Sequence, residues 1–306
     1  MKKVRWLAAL LLLLAFVGAA CGGDDDDSTA CGNGSTTTAN DGGKSAAPPE
    51  FKITASEDAA AGTYKFDVPT KIAGGVVKIT LDNAGGKEVH DFQLIKLDGH
   101  KVEDLAKEVG EGTAPLSPWL KQGAGVGSTP PGQSTSAVFK LEPNTEYAFV
   151  CTESNDEKHI SHAQHGMAGT FTTGDDSGAA MPKGTATIET TEYKFNVDGL
   201  KAGKNTIAFT NKGSMLHHVV ILPFLPGKTL DDLKTSFASE DQNQSGPPPV
   251  DFEKGSFSAV AGIGDTIVYD VDLPAGHYAI LCFMPDPGTA GPPHAMKGMI
   301  DEFTIS

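Results

Sequence analysis

Cysteine is scarce: four residues in a chain of 306. Two of them, Cys21 and Cys31, lie before residue 50, which leaves Cys151 and Cys282 one to each half of the remainder. A disulfide-stapled exported domain carries an even number of cysteines in each unit, so that scaffold is excluded and both residues read as single thiols. Positive charge is scarce too, with 24 Lys and Arg against 39 Asp and Glu and a formal charge of −15. Neutralising phosphates needs the opposite sign, so a nucleic-acid partner is excluded. Also missing are a glycine-rich nucleotide loop, a Ser-His-Asp signature, a strong paired-carboxylate motif and any His-x-His pair.

Large apolar residues are absent from 22–49, GGDDDDSTACGNGSTTTANDGGKSAAPP. Such a segment cannot bury enough surface to offset the entropy of ordering it. It reads as a tether of 28 residues with a root-mean-square reach of roughly 30 Å. Before it, Lys2, Lys3 and Arg5 precede an apolar run from Leu7 to Ala20, the pattern of a signal peptide over residues 1–20 and too short for a comfortable membrane span. Gly18-Ala19-Ala20-Cys21 resembles the bacterial lipobox, although Gly18 replaces its usual Leu or Val. That resemblance implies export, lipid on Cys21 and anchoring on the extracytoplasmic face of the cell membrane. Losing the signal peptide removes three positive and no negative charges, taking −15 to about −18, a balance compatible with a basic protein partner.

What the chain does have is a long internal repeat. HAQHGMAGTFTT (His162–Thr173) is answered by HAMKGMIDEFTI (His294–Ile305), TYKFDV (Thr63–Val68) by EYKFNV (Glu192–Val197), and LEPNTEYAFVC (Leu141–Cys151) by DLPAGHYAILC (Asp272–Cys282). Each copy reads as one domain, residues 51–173 and 185–306, joined by the polar linker 174–184. Val76–Leu81, Phe92–Leu97, Ala137–Leu141 and Tyr147–Cys151 are short, β-branched or aromatic, and bounded by Gly, Pro or Asn, which predicts strands of a β-sandwich. One helix interrupts each copy. Val102, Leu105 and Val109, and Leu230, Leu233 and Phe237, recur at helical spacing, with Thr229 as a candidate N-cap.

Three residue types recur at matched places: a His after an Asn-x-Gly turn, a Cys ending a strand, and a His followed five residues later by Met. Copy one offers His90, Cys151, His162 and Met167, and copy two His217 or His218, Cys282, His294 and Met299. Two imidazoles, a thiolate and a weak thioether form the donor set of type 1 copper; zinc would use the Cys and His but has little use for Met. With the GM…FT ending, the pattern resembles the cupredoxins, the plastocyanin and azurin family. The resemblance implies an all-β fold of two tandem Greek-key β-sandwiches, with at most one type 1 copper in each.

Counting seven from the turn Asn (Asn83 to His90, Asn211 to His218) selects His218, whereas the His-x-Val-Val strand pattern selects His217; strand alternation lets only one face the metal. His159 and His165 compete with His162, which the register with His294 favours. Ten residues separate Cys151 from His162 and eleven separate Cys282 from His294, against two to four in the best-known relatives. The longer loop costs roughly 0.9 kcal/mol of closure entropy, so only geometry could forbid a site. The expected function is a membrane-tethered copper protein that exchanges electrons with a redox protein partner. A metal-free module on the same scaffold, and copper sequestration or delivery, are the alternatives. No His adjoins either site Cys, so the sequence leads to the expectation that the chain is not an enzyme.

Overall fold

The structure, a computed structural model, describes residues 46–58, 61–111, 116–154, 160–238 and 247–306. The signal segment, Cys21 and the tether as far as residue 45 lie outside the described residues, as does His159. Among the described residues no helix is long and apolar enough to cross a membrane.

Copy one runs β1 (Glu50–Asp58), β2 (Thr63–Asp67), β3 (Ile72–Asp82), β4 (His90–Lys96), α1 (Val102–Glu111), β5 (Gly123–Thr129), β6 (Ser134–Leu141), β7 (Glu146–Val150) and β8 (Ala168–Asp176). Copy two repeats that order as β9 (Ala186–Thr191), β10 (Lys194–Asp198), β11 (Gly203–Asn211), β12 (Val220–Pro223), α2 (Leu230–Ala238), β13 (Ser256–Phe257), β14 (Thr266–Leu273), β15 (Gly276–Leu281) and β16 (Ile300–Ile305). The fold is all-β with one helix in each copy, as expected. Alternation does the local work: on β6 Ala137, Phe139 and Leu141 turn inward while their neighbours are more exposed. Leu105 and Leu233 are the buried residues of the two helical stripes. Thr229 caps α2, its Oγ1 accepting the Asp232 N–H at 3.3 Å while its own N–H donates to Asp232 Oδ2 at 2.9 Å.

Each copy consists of two layers, β2-β1-β3-β6 with β5-β4-β7-β8, and β10-β9-β11-β14 with β13-β12-β15-β16. The copies are not separate sheets. Ala137–Phe139 of β6 pair antiparallel with Ile267–Tyr269 of β14. With a short parallel contact between β3 and β8, this joins all strands but β12, β13, β15 and β16 into one 12-stranded sheet. A second seam runs beside it, where the Gly262 and Ile263 N–H groups donate to the carbonyls of Gly123 and Lys121 at 2.9 Å each. The start of β4 and the ends of β7 and β15 lie at one end of their layers, and the repeated histidines and cysteines sit there.

Candidate metal centre

In copy one His90 opens β4, Cys151 follows the last residue of β7, and His162 opens a 3-10 turn, His162–His165, that leads into β8. Their donors converge. Cys151 Sγ lies 3.7 Å from His90 Nδ1 and 3.6 Å from His162 Nδ1, and the two nitrogens are 3.1 Å apart. None of the three side chains reaches more than 1 % exposure. Copy two builds the same triangle from Cys282, His217 and His294, with S–N distances of 3.9 and 3.5 Å and an N–N distance of 3.2 Å.

The imidazole brought to Cys282 is therefore that of His217, and the count that selected His218 is corrected. The turn is one residue shorter in copy two. Asn83 Nδ2 donates to the carbonyls of Glu88 and Thr129, five residues on and across the layer, whereas Asn211 Nδ2 reaches Met215, four residues on, and Ala261. His218 instead faces the neighbouring backbone, its Nε2 accepting the Phe283 N–H at 2.7 Å. It is the counterpart of Asp91, whose Oδ1 accepts the Thr152 N–H at 2.6 Å.

The long loops close on themselves. The His162 N–H donates to Glu153 O and the His294 N–H to Met284 O, both at 2.8 Å. The closing carbonyl lies two positions after each cysteine. The Cys151 and Cys282 carbonyls accept the Ala163 and Ala295 N–H groups at 3.1 and 2.8 Å, which ties each 3-10 turn to its thiol. Gly166 and Gly298 end those turns at φ 117° and 104°, which explains the glycine before each methionine. The Cys151 and Cys282 N–H groups donate to Met167 and Met299 O at 3.0 and 3.3 Å, and both methionines are fully buried. His165 lies outside the triangle at the end of its turn, and His100 stacks on Trp119 at the surface.

Carboxylates back the rings, and the sequence reading missed them. Glu57 Oε2 is 3.0 Å from His90 Nε2, Glu88 Oε2 is 3.1 Å from His162 Nε2, and Asp286 Oδ1 is 3.3 Å from His294 Nε2. Tyr64 stacks on His162 and donates to Glu88 at 3.2 Å, while Tyr193 meets His294 edge-on and donates to Asp286 at 3.0 Å. A signal was present in the sequence, since both tyrosines belong to the repeated YKF. Burial pushes the Glu57 carboxyl up, but N–H bonds from Lys87 and Glu88 and the His90 ring outweigh it and hold the pKa below the usual range. Asp286 is likewise lowered, its burial outweighed by Lys297 and Tyr193. Burial depresses His217 and His294 to about 4, so both rings are neutral and able to donate lone pairs at neutral pH. Burial raises both thiols, Cys282 to about 12, so a cation must displace a proton to bind there.

A metal at the centre of a triangle of two nitrogens and one sulfur, with bonds of about 2.0 Å to nitrogen and 2.3 Å to sulfur, sets edges of about 3.5 Å (N–N) and 3.7 Å (N–S). The observed edges of 3.1–3.2 and 3.5–3.9 Å fit that size. Soft sulfur beside two imidazoles suits copper in both of its oxidation states.

No protein-family model matches the sequence, and no curated protein matches it. Among solved structures the chain is similar to a copper nitrite reductase from Nitrosomonas europaea, at 15 % identity over 85 % of this chain and 94 % of that one, with a TM-score of 0.26. It is similar to a multicopper oxidase, at 14 % identity over 87 % and 94 %, TM-score 0.26. One copy's length is similar to an auracyanin from Roseiflexus castenholzii, at 19 % identity over 42 % of this chain and 98 % of that one, TM-score 0.29. The expectation that the chain is not an enzyme is corrected: the solved structures it is similar to include a copper nitrite reductase and a multicopper oxidase. The missing His-x-His pair excludes one local motif and not catalysis. Each copy is a cupredoxin-like β-sandwich whose group of two histidines and one cysteine fits a type 1 copper centre.

Proposed function

We propose that this protein is an electron-transfer copper protein, tethered by a lipid on Cys21 to the extracytoplasmic face of a membrane and serving a basic redox protein partner. The observation that carries the copper reading is the pair of buried His-Cys-His triangles, each at the end of a sandwich. Copper bound there supplies a one-electron couple. The chain's own residues do the rest. His90, Cys151 and His162 hold one ion, and His217, Cys282 and His294 the other, with Met167 and Met299 beside the cysteines as the thioethers. Burial of every donor excludes water, and Glu57, Glu88 and Asp286 stand behind the His90, His162 and His294 rings, whose Nδ1 atoms face inward. Because the layers hold the donors in place, a change of charge at the metal meets little rearrangement. The tether and the acidic surface support the placement and the partner.

The test is Cu(II) added to the mature protein, read by optical and EPR spectra. An intense visible thiolate charge-transfer band, halved by Cys282→Ser, is expected. Tight Cu(I) binding without colour would replace electron transfer with sequestration, and no binding at micromolar copper would end the copper reading.

A further inference from the structure

The seam between the copies holds a buried polar chain that neither triangle uses. Its first member, Asp91, follows the ligand His90 and sits where the β4–β5 register shifts, in a bulge. Its carboxylate accepts from the Thr152 N–H at 2.6 Å and the Thr152 hydroxyl at 2.5 Å, and Thr152 follows Cys151. The same carboxylate accepts from Gln93 Nε2 at 2.8 Å. Gln93 Oε1 then accepts the Val260 N–H of the other copy at 3.0 Å. Next to Val260, Ala261 exchanges two backbone bonds with His217, the Ala261 N–H donating at 2.8 Å and the His217 N–H at 3.3 Å. Covalent and hydrogen bonds thus run without a gap from the His90 and Cys151 segments of copy one to a ligand of copy two.

Packing alone does not ask for this. Asp91 and Gln93 are 3 % and 6 % exposed, and burying an amide or a carboxylate is unfavourable unless each polar atom is bonded. The register gives the comparison: Gln93 pairs with Val150 before one cysteine, and Val220 pairs with Leu281 before the other. At the equivalent place, then, copy two fills the same layer with an apolar residue and sends nothing across. The amide's orientation is also settled, since only its nitrogen can face the carboxylate and only its oxygen can face an N–H.

We infer that Asp91 and Gln93 form an electron relay between the two metal centres. The inference rests on the copper reading above. The step is a single-electron exchange in which Cu(I) of one copy is oxidised and Cu(II) of the other is reduced; no bond forms or breaks and no proton moves. Asp91 and Gln93 act as positioning residues that keep the two ligand sets in bonded contact.

The experiment uses the mature protein with copper in both sites and injects one electron by pulse radiolysis. Cys151→Ser and Cys282→Ser proteins supply the spectrum of each single site. The expected result is a concentration-independent redistribution between the two bands that slows several-fold in Gln93→Leu and in Gln93→Asn, whose amide is too short to span the seam. Both bands, EPR signals and potentials stay unchanged. Amide hydrogen exchange at Val260 in the copper-free protein is expected to be slow in the wild type and faster in both variants. An unaltered redistribution rate overturns the relay, as does a slowed rate accompanied by shifted bands or potentials, which would make Gln93 a structural support of the sites. A wild type without copper colour removes the copper reading and the relay together, whereas coloured sites with no redistribution remove the relay alone.

Discussion

Replacing Glu57 by Gln should raise the reduction potential of the copy-one centre. Glu57 Oε2 lies 3.0 Å from His90 Nε2, on the far side of the ring from the donor nitrogen. Adding the ring and a bond of about 2 Å puts the carboxylate about 6.5 Å from a bound ion. Glu57 is ionised at neutral pH, its carboxyl lowered despite burial by the bonds from Lys87, His90 and Glu88. At an effective dielectric constant of about 20, a unit charge at that distance favours Cu(II) over Cu(I) by about 2.5 kcal/mol. For a one-electron couple this is about 100 mV. Gln keeps one oxygen for the Lys87 and Glu88 N–H groups and turns its NH2 toward the His90 ring, so the charge is removed and the band position reports whether the ring stays in place. The assay is a spectroelectrochemical titration of the charge-transfer band in a Cys282→Ser background, where only copy one is visible. An upward shift of that order is expected with the band position retained. A shift below about 30 mV, or a downward one, would refute the claim that the buried carboxylate sets the electrostatics of the site.

His217→Ala should abolish the copy-two band, whereas His218→Ala should leave the band and lower stability by about 1–3 kcal/mol, because the Phe283 N–H loses its acceptor; loss of colour in the His218 variant would reverse that assignment. Asp265 titrates near pH 6 rather than 3.8, raised first by burial and then by Glu142 against the Gly123 N–H. A raised folded-state pKa means that the group's contribution to stability is complete below about pH 4 and is lost as pH rises through 6. Asp265→Asn should therefore stabilise the protein at pH 8 by at most about 3 kcal/mol and leave it unchanged at pH 4, read by denaturant unfolding at the two pH values; equal effects at both would contradict it. The wild-type copy-one potential should lie below that of copy two. Among the described residues Glu57 and Glu88 face its rings with no Lys or Arg paired to either, while Asp286 in copy two is paired with Lys297. Equal potentials in the Cys151→Ser and Cys282→Ser proteins would count against this.

The strands and helices were legible because their signals are local: β-branched runs between Gly, Pro and Asn, and apolar residues at helical spacing. The donor types were legible because the chain writes them twice. What stayed hidden depends on contacts between distant segments. Choosing between His217 and His218 required knowing that the Asn211 turn closes one residue sooner than the Asn83 turn, which the side-chain bonds to Met215 and Glu88 reveal. The loop lengths misled for a related reason. Closure entropy was reckoned over ten and eleven residues, but the backbone bonds from His162 to Glu153 and from His294 to Met284 shorten the distance that matters to two. Glu57, 33 residues before His90 in sequence, carries no mark of its role outside the fold.

The duplication separates what a centre needs from what distinguishes one centre from the other. Asn, Tyr, the first His, Cys, the second His, Gly and Met stand in both copies, and every one of them places or supports a donor. Glu88 against Met215, Asp91 against His218, Gln93 against Val220 and Thr152 against Phe283 differ, and none of those residues supplies a donor. Asp91 and His218 show how such a difference arises. Both accept the N–H that follows the cysteine, at 2.6 and 2.7 Å, so the local backbone is satisfied either way. A carboxylate has a second oxygen left for Gln93, whereas an imidazole accepts through one nitrogen only. Choosing Asp in copy one is therefore what allows a polar chain to leave that centre and cross the seam. Choosing His in copy two keeps the corresponding bond local.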